Sequence, residues 1–406
     1  MNELRDSGVD PLIIDAGDLF FSTASLNSTN KKSELYRAGA ILEGYNRVGC
    51  DAINVGHYEM LNGLSFLKSM EEKTEITTVI KKSETDDPVR TAVNPKLYDE
   101  YRQIWKDVNN LEKVTDFPTQ IDFELNYSCN FTCPMCTWNK ESTENMGTEA
   151  WFDFDVFKEV IDDAIPKGLK SIRMNYINEP LMRKDIVNFI SYARKAGILD
   201  IYFSTNGSLL TDDIIRDLIN SGLLRLQISL DAFTEETFNK IRTGGNFNSV
   251  IKNVLRFLEI RKEMGVKLPT LRVNFVKTET NKHELDDFVE FWKSKADSVG
   301  VQDLVGIMDG YGKKTEDEVE NTDLNGTFRC AQPFQHLTLR YDGTILPCCT
   351  FFGAEIPIAK LKTNKKIQFS EIENIGLLDK SLKSKLIIRS IEETWKSKEM
   401  EYFREI

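Results

Sequence analysis

Between residues 116 and 309 the chain alternates short β-rich runs with longer amphipathic stretches, and this rhythm restricts the fold more than any other feature. The β-rich runs are residues 120–126, 171–176, 200–205, 224–230, 270–276 and 299–305. Phe154, Phe157, Val160, Ile161 and Ile165 recur at helical spacing after the first run, Ile186, Phe189, Ile190 and Ala193 after the second, and Val250, Val254, Leu255 and Leu258 after the fourth. Strands separated by helices read as parallel strands joined by right-handed crossovers. Six such units predict an α/β fold built on a partial, open (β/α)6 TIM-like barrel, whose working end lies at the C-terminal ends of the strands.

The loop that follows the first of these strands holds Cys129, Cys133 and Cys136 in Cys-Asn-Phe-Thr-Cys-Pro-Met-Cys. Three thiolates can hold three irons of a cubane [4Fe–4S] cluster, for which full protein ligation takes four. The remaining iron is then open to a substrate or cofactor. A zinc site and inert buried thiols are the competing readings. Zinc wants a fourth Cys or His nearby, and the nearest histidines are His57 and His283.

Charge and hydropathy narrow the setting. A net charge of −12 supplies no broad basic surface for nucleic acid or anionic membranes. No apolar run reaches the length of a membrane span, and the N-terminal MNELRDSGVD lacks the apolar stretch of a signal peptide. The expected compartment is the cytoplasm, where cysteines serve as ligands rather than disulfides.

The Cys-x3-Cys-x2-Cys spacing resembles the signature of the radical S-adenosylmethionine (SAM) enzymes, whose core has the barrel architecture predicted above. The resemblance implies a [4Fe–4S] cluster whose open iron chelates SAM, and it implies SAM contacts elsewhere. Asn178-Glu179-Pro180 resembles the family's Gly-Gly-Glu-Pro turn, which holds the SAM ammonium group; Asn178 stands where glycine is usual, and Asn tolerates left-handed backbone angles. Ser204-Thr205-Asn206-Gly207 falls where the family approaches the ribose and methionyl parts, which assigns Ser204 and Asn206. Ser229, in Ser-Leu-Asp-Ala, would donate to the carboxylate or ribose. Arg242, in Lys-Ile-Arg-Thr-Gly-Gly, would pair its forked guanidinium with the SAM carboxylate. Met135 takes the place of an aromatic beside the adenine, with Asn274 and Val276 as further adenine-side contacts. The implied reaction is reductive cleavage of SAM to a 5′-deoxyadenosyl radical that abstracts hydrogen from a peptide, sugar or other small molecule. The implied partner is a one-electron donor of flavodoxin or ferredoxin type.

Residues 313–406 carry Cys330, Cys348 and Cys349 in Arg-Cys-Ala-Gln-Pro-Phe and Asp-Gly-Thr-Ile-Leu-Pro-Cys-Cys-Thr. This resembles the start of the SPASM and twitch auxiliary-cluster domains. It predicts a hairpin of residues 335–340 and 343–346 turning at Tyr341-Asp342-Gly343, then a helix over 388–403. No cysteine follows Cys349. The domain is therefore expected to be incomplete. Cys330 and Cys348, with Cys349 joining, would hold an auxiliary Fe–S cluster; thiols that are structural, or that bind zinc with His336, are the alternative.

Residues 1–78 contain Leu-Ile-Ile-Asp-Ala-Gly-Asp ending at Asp18, and Gly-His-Tyr-Glu around His57. They resemble calcineurin-like metallophosphoesterases of the 5′-nucleotidase type. Three histidines in the whole chain are too few for the usual dinuclear site, so a degenerate fragment is expected. Residues 79–115 read as a charged linker with helices. Two other functions follow from these features: an iron–sulfur scaffold without turnover, and a metal-dependent phosphoesterase.

Overall fold

The computed structural model describes residues 52–54, 77–79, 87–136, 150–304, 331–349, 357–364 and 387–405. The motifs around Asp18 and His57, and Cys330, lie outside these residues. The chain divides into two compact units, Met1–Thr91 and Ala92–Ile406. In the first, β1 (Ala52–Asn54) and β2 (Thr77–Val79) pair in parallel, Ala52 opposite Thr77. The short helix α1 (Pro88–Ala92) follows.

The second unit opens with α2 (Pro95–Asn109), started by Asn94, whose side chain accepts from the Leu97 N–H, and by Pro at its first position. The alternating units then run β3 (Gln120–Phe123), α3 (Phe154–Ala164), β4 (Ser171–Arg173), α4 (Ile186–Ala196), β5 (Asp200–Thr205) and α5 (Asp212–Ser221). They continue with β6 (Arg225–Ser229), α6 (Glu235–Ile241), α7 (Phe247–Glu263), β7 (Thr270–Lys277), α8 (Leu285–Lys293) and β8 (Ser298–Asp303). Strands β3 to β8 lie side by side in chain order, all parallel. Sequential order with right-handed crossovers places every helix on one face, and this is the partial (β/α)6 TIM-like arrangement the rhythm predicts.

Side-chain alternation separates two faces of the sheet. Ile121 and Phe123 turn toward α3, where Phe123 meets Phe157 edge-on at 4.9 Å, and both are fully buried. Gln120 and Asp122 therefore point to the opposite, inner face, as do Ser171, Arg173, Asp200, Tyr202, Arg225 and Gln227 on the next strands. The inner face is polar because it is the lumen side. The outer face is apolar because it carries the helices, with Phe189 of α4 and Phe203 of β5 among its fully buried rings. The third predicted stripe shifts by a residue: the buried line on α7 is Val250, Val254, Phe257 and Ile260, whereas Leu255 and Leu258 are half-buried.

Helix α2 belongs to this core. Tyr98 and Tyr101 are each 2% exposed, and Tyr98 Oη accepts from Arg225 Nη2 at 2.5 Å while Arg225 Nε donates to Asp200 at 3.0 Å. Asp200 and Arg225 open their strands, so α2 closes the N-terminal end of the arc and leaves the opposite end to the cysteine loop.

The C-terminal region extends the same sheet. After α9 (Gln332–Gln335), β9 (His336–Leu339) pairs in parallel with β3, and β10 (Thr344–Leu346) returns antiparallel to it, as the predicted hairpin requires. β11 (Ala359–Leu361) and β12 (Ile388–Arg389) complete ten strands in one sheet. The predicted single helix over 388–403 is two: α10 (Ile391–Trp395), opened by a Ser390–Glu393 capping box, and α11 (Lys398–Glu405). Trp395 is 1% exposed and donates its indole N–H to the Thr115 carbonyl at 2.7 Å. Among the described residues no helix is long and apolar enough to cross a membrane.

Candidate active site

The cysteine loop leaves the C-terminal end of β3 and is held by the loops after the next three strands. Asn126 begins the arrangement. Its side-chain Nδ2 donates to Ser128 Oγ at 2.9 Å and to the Glu179 carbonyl at 3.2 Å, and its Oδ1 accepts from Asn178 Nδ2 at 2.7 Å. The Glu179 N–H donates to the Ser128 carbonyl at 2.9 Å. The turn after β4 is thereby fastened to the residue preceding Cys129.

Glu179 is 2% exposed. Its carboxylate accepts from Thr205 Oγ1 at 2.6 Å, the Asn206 N–H at 2.8 Å and the Leu181 N–H at 3.1 Å. Burial pushes this carboxyl above its ordinary value, against the pull of these donors. The side chain thus bolts the β4 turn to the β5 turn, while its backbone faces the cysteine loop. Asn206 carries the connection onward: its Nδ2 donates to Asn130 Oδ1 at 2.9 Å, and Asn130 Nδ2 donates to Ser208 Oγ at 2.9 Å. Asn130 lies directly after Cys129.

The segment after β6 closes the other side. Thr132 N–H donates to the Thr243 carbonyl at 2.8 Å. Gly244, at φ +93°, and Gly245 lie against residues 130–132. A Cβ on Gly245 would fall 2.5 Å from Phe131 Cζ and 2.9 Å from Phe238 Cε1. The two glycines in Arg-Thr-Gly-Gly therefore let the loop approach. Arg242 ends α6 and is half-buried, its side chain 13% exposed. Its Nη2 pairs with Asp231 Oδ2, and its Nη1 reaches Cys133 Sγ at 3.9 Å. Asp231 is fully buried and stands at φ +60°, and its Oδ1 accepts the Val276 N–H at 2.8 Å. Burial pushes its carboxyl up and Arg242 pulls it back.

The thiols share this enclosure. Cys129 and Cys136 pack against Tyr127, Ile177 and Tyr341. The Tyr341 ring, from the β9–β10 turn, stacks on Tyr127 at 5.0 Å, so the C-terminal hairpin forms one wall. Burial pushes the Cys129 thiol up to about 12 and raises Cys133 as well. Cys133 and Cys136 stand near enough to Cys129 to push its thiol up a little further. None of them is in a disulfide.

The other sequence-derived residues distribute along the inner face. Ser204 N–H donates to Asn175 Oδ1 at 2.9 Å, and Ser204 Oγ donates to Gln227 Oε1 at 3.3 Å. Asn274 Nδ2 donates to the same Gln227 oxygen at 3.2 Å. Ser229 and Met135 are half-buried. Cys348 is buried, and Cys349 turns toward Gln332, its Sγ 3.7 Å from Gln332 Oε1. Sequence reasoning missed Asn126, Asn130 and Asp231. The positive φ of Asp231 had a signal in its Ser-Leu-Asp-Ala context; the two asparagines had none beyond flanking the first cysteine.

A polar-lined parallel arc with a three-thiol loop at its C-terminal end defines the class. Residues 123–292 match the family model described as the Radical SAM superfamily, and form a radical SAM domain. Among curated relatives, the probable GTP 3′,8-cyclase of Metallosphaera sedula is 31% identical over 180 residues, which are 44% of this chain and 52% of that protein. The GTP 3′,8-cyclase of Desulforamulus reducens is 33% identical over 166 residues, 41% of this chain and 49% of that protein. The chain thus spans about half the length of the curated relatives it matches. Among solved structures, Streptococcus suis SuiB bound to S-adenosylmethionine aligns at 18% identity with a TM-score of 0.47, covering 74% of this chain and 76% of that one. A radical SAM domain implies a [4Fe–4S] cluster and SAM as cofactors. Three clustered thiols outside any disulfide fit a cubane with one iron left open.

Proposed function

We propose that the chain is a radical SAM enzyme that cleaves SAM reductively and abstracts a hydrogen atom from a peptide, sugar or other small molecule. The observation that carries this reading is the convergence of the turns after β4, β5 and β6 on the Cys129–Cys136 loop. Held by Cys129, Cys133 and Cys136, the cluster would supply the electron that splits SAM into methionine and a 5′-deoxyadenosyl radical.

The protein's own residues bind and orient. The backbone of Asn178 and Glu179 offers carbonyls to the SAM ammonium group, and the buried Glu179 carboxylate fixes that turn. Ser204, Asn206 and Ser229 line the approach for ribose and carboxylate. Arg242 brings a positive charge beside Cys133, which favours an anionic ligand there. Met135 packs on the adenine. Tyr341 and Tyr127 shield the site from water on the hairpin side. The C-terminal region acts as a SPASM- or twitch-like domain, with Cys330 and Cys348 as auxiliary ligands. The electron donor is of flavodoxin or ferredoxin type. The GTP named in the relatives' activity is the first substrate to assay.

The test is anaerobic reconstitution with iron and sulfide, followed by dithionite and SAM, beside a Cys129/Cys133/Cys136→Ala triple variant. The expected result is about four irons lost in the variant, together with the loss of 5′-deoxyadenosine formation. An intact chain that binds no cluster and forms no 5′-deoxyadenosine would overturn the proposal, and one that binds the cluster but forms no 5′-deoxyadenosine would leave the iron–sulfur scaffold reading.

A further inference from the structure

A second group of ligand-type side chains lies on the inner face where the C-terminal strands join the core. Asp122 comes from β3, His336 from the start of β9, and Cys349 from the segment just after β10. One ligand atom from each lies within 4.8 Å of the others. Asp122 is fully buried and His336 is 3% exposed. Neither ring nitrogen of His336 has a nitrogen or oxygen partner at hydrogen-bond distance among the described residues; the ring meets the Cys349 thiol and stands 3.8 Å from Asp122 Oδ2. A buried imidazole so weakly paired is costly unless something else engages it.

We propose that Asp122, His336 and Cys349 bind one divalent zinc ion, with the Gln332 side-chain oxygen as the fourth donor. The distances fit. Zinc bonds of about 2.0–2.3 Å at tetrahedral angles put neighbouring donor atoms about 3.4–3.6 Å apart. His336 Nε2 lies 3.8 Å from Asp122 Oδ2, and Cys349 Sγ lies 3.7 Å from Gln332 Oε1. The donors are a thiolate, an imidazole and two oxygens. A thiolate selects against magnesium and calcium, and its company with imidazole suits zinc.

The surroundings orient the ligands. Gln120 Nε2 donates to Asp122 Oδ1 at 2.6 Å and Arg173 Nη2 donates to Oδ2 at 2.5 Å. Each carboxylate oxygen keeps a second lone pair, and such outer contacts are what fix a ligating carboxylate. The Arg173 charge opposes a cation, and the two anionic ligands offset it. None of these ligands belongs to the Cys129–Cys136 loop. The site would clamp the C-terminal hairpin onto β3, the strand that carries that loop.

Cobalt tests this directly. The full chain carrying Cys129/Cys133/Cys136→Ser, stripped of metal and kept anaerobic, is titrated with cobalt(II) and watched for thiolate-to-cobalt charge transfer and tetrahedral d–d bands. The expected result is one cobalt per chain, displaced by zinc. Cys349→Ser should abolish the charge-transfer band and His336→Gln should weaken binding more than about a hundredfold, since loss of even an outer contact costs 10–100-fold. Cys348→Ser should leave the spectrum intact. Circular dichroism confirms that each variant is folded. A folded, unsubstituted Cys349 chain that takes up no cobalt would overturn the proposal. So would a spectrum that ignores His336→Gln and vanishes in Cys348→Ser, and so would iron–sulfide uptake that requires Cys349, because either assigns Cys349 to a thiol-only cluster.

Discussion

Substituting Gly245 by alanine tests how the cysteine loop is seated. The new methyl carbon would stand 2.5 Å from Cζ and 2.7 Å from Cε2 of Phe131, and 2.9 Å from Cε1 of Phe238. Both rings are buried, at 2% and 0% exposure, and cross at 90° with centroids 6.4 Å apart. Neither can retreat without displacing core, so the substitution is an overpacking one, worth about 1–3 kcal/mol. Unfolding a unit of roughly 300 residues carries about 0.6 kcal/mol per kelvin of entropy, so about 2 kcal/mol lowers the melting temperature by about 3 °C. Phe131 sits two residues from both Cys129 and Cys133, so its displacement should also misplace thiols. The assay is thermal unfolding of the metal-free chain, paired with iron content after anaerobic reconstitution. The expected outcome is a lower melting temperature together with reduced iron. Unchanged values for both would refute the packing of Phe131 beneath Gly245. A lower melting temperature with full iron would refute only the link from that packing to the cysteines.

Three other perturbations probe the buried charges. Glu179→Gln replaces one acceptor oxygen with a donor, which then opposes either the Asn206 N–H or the Thr205 and Leu181 donors; it should cost about 1–3 kcal/mol in urea unfolding and weaken SAM binding, whereas an unchanged midpoint would remove Glu179 as the bolt between turns. Arg242→Met strands the fully buried Asp231 carboxylate and should destabilise the chain by about 3–5 kcal/mol, with Asp231→Asn in the same chain restoring part of the loss; no restoration would contradict the pairing. Asp342 donates no proton at neutral pH: burial pushes its carboxyl up, but Lys360 at 2.9 Å and Arg340 pull it down to about 2 from an ordinary 3.8. A carboxyl lowered in the folded state stabilises above its unfolded value and loses that contribution as pH falls through the folded value, so Asp342→Asn should cost about 2 kcal/mol at pH near 7 and almost nothing near pH 2. A cost that is the same at both pH values would count against the ion pair.

The parallel arc was legible in the chain because strand and helix periodicity are local properties. Phe154 to Ile165 spell a helix without reference to anything distant, and the cysteine spacing lies within eight consecutive residues. The hairpin turning at Tyr341-Asp342-Gly343 was legible for the same reason. The helical ends were less so: Ser390 and Glu393 form a capping box that starts a fresh helix within what the apolar pattern joined into one. Partners across the sheet had no local signature. Asn126, Asn178, Glu179, Thr205 and Asn206 meet because three chain segments arrive at one end of the sheet in a fixed register. Asp122 lies more than two hundred residues from His336, and β9 brings them together only by pairing in parallel with β3. The sequence by itself determined which elements form and where a metal-binding loop would fall, since both depend on neighbours along the chain. Only the tertiary structure decided which polar side chains satisfy one another on the inner face, since burial without water leaves each to find a partner that the register supplies.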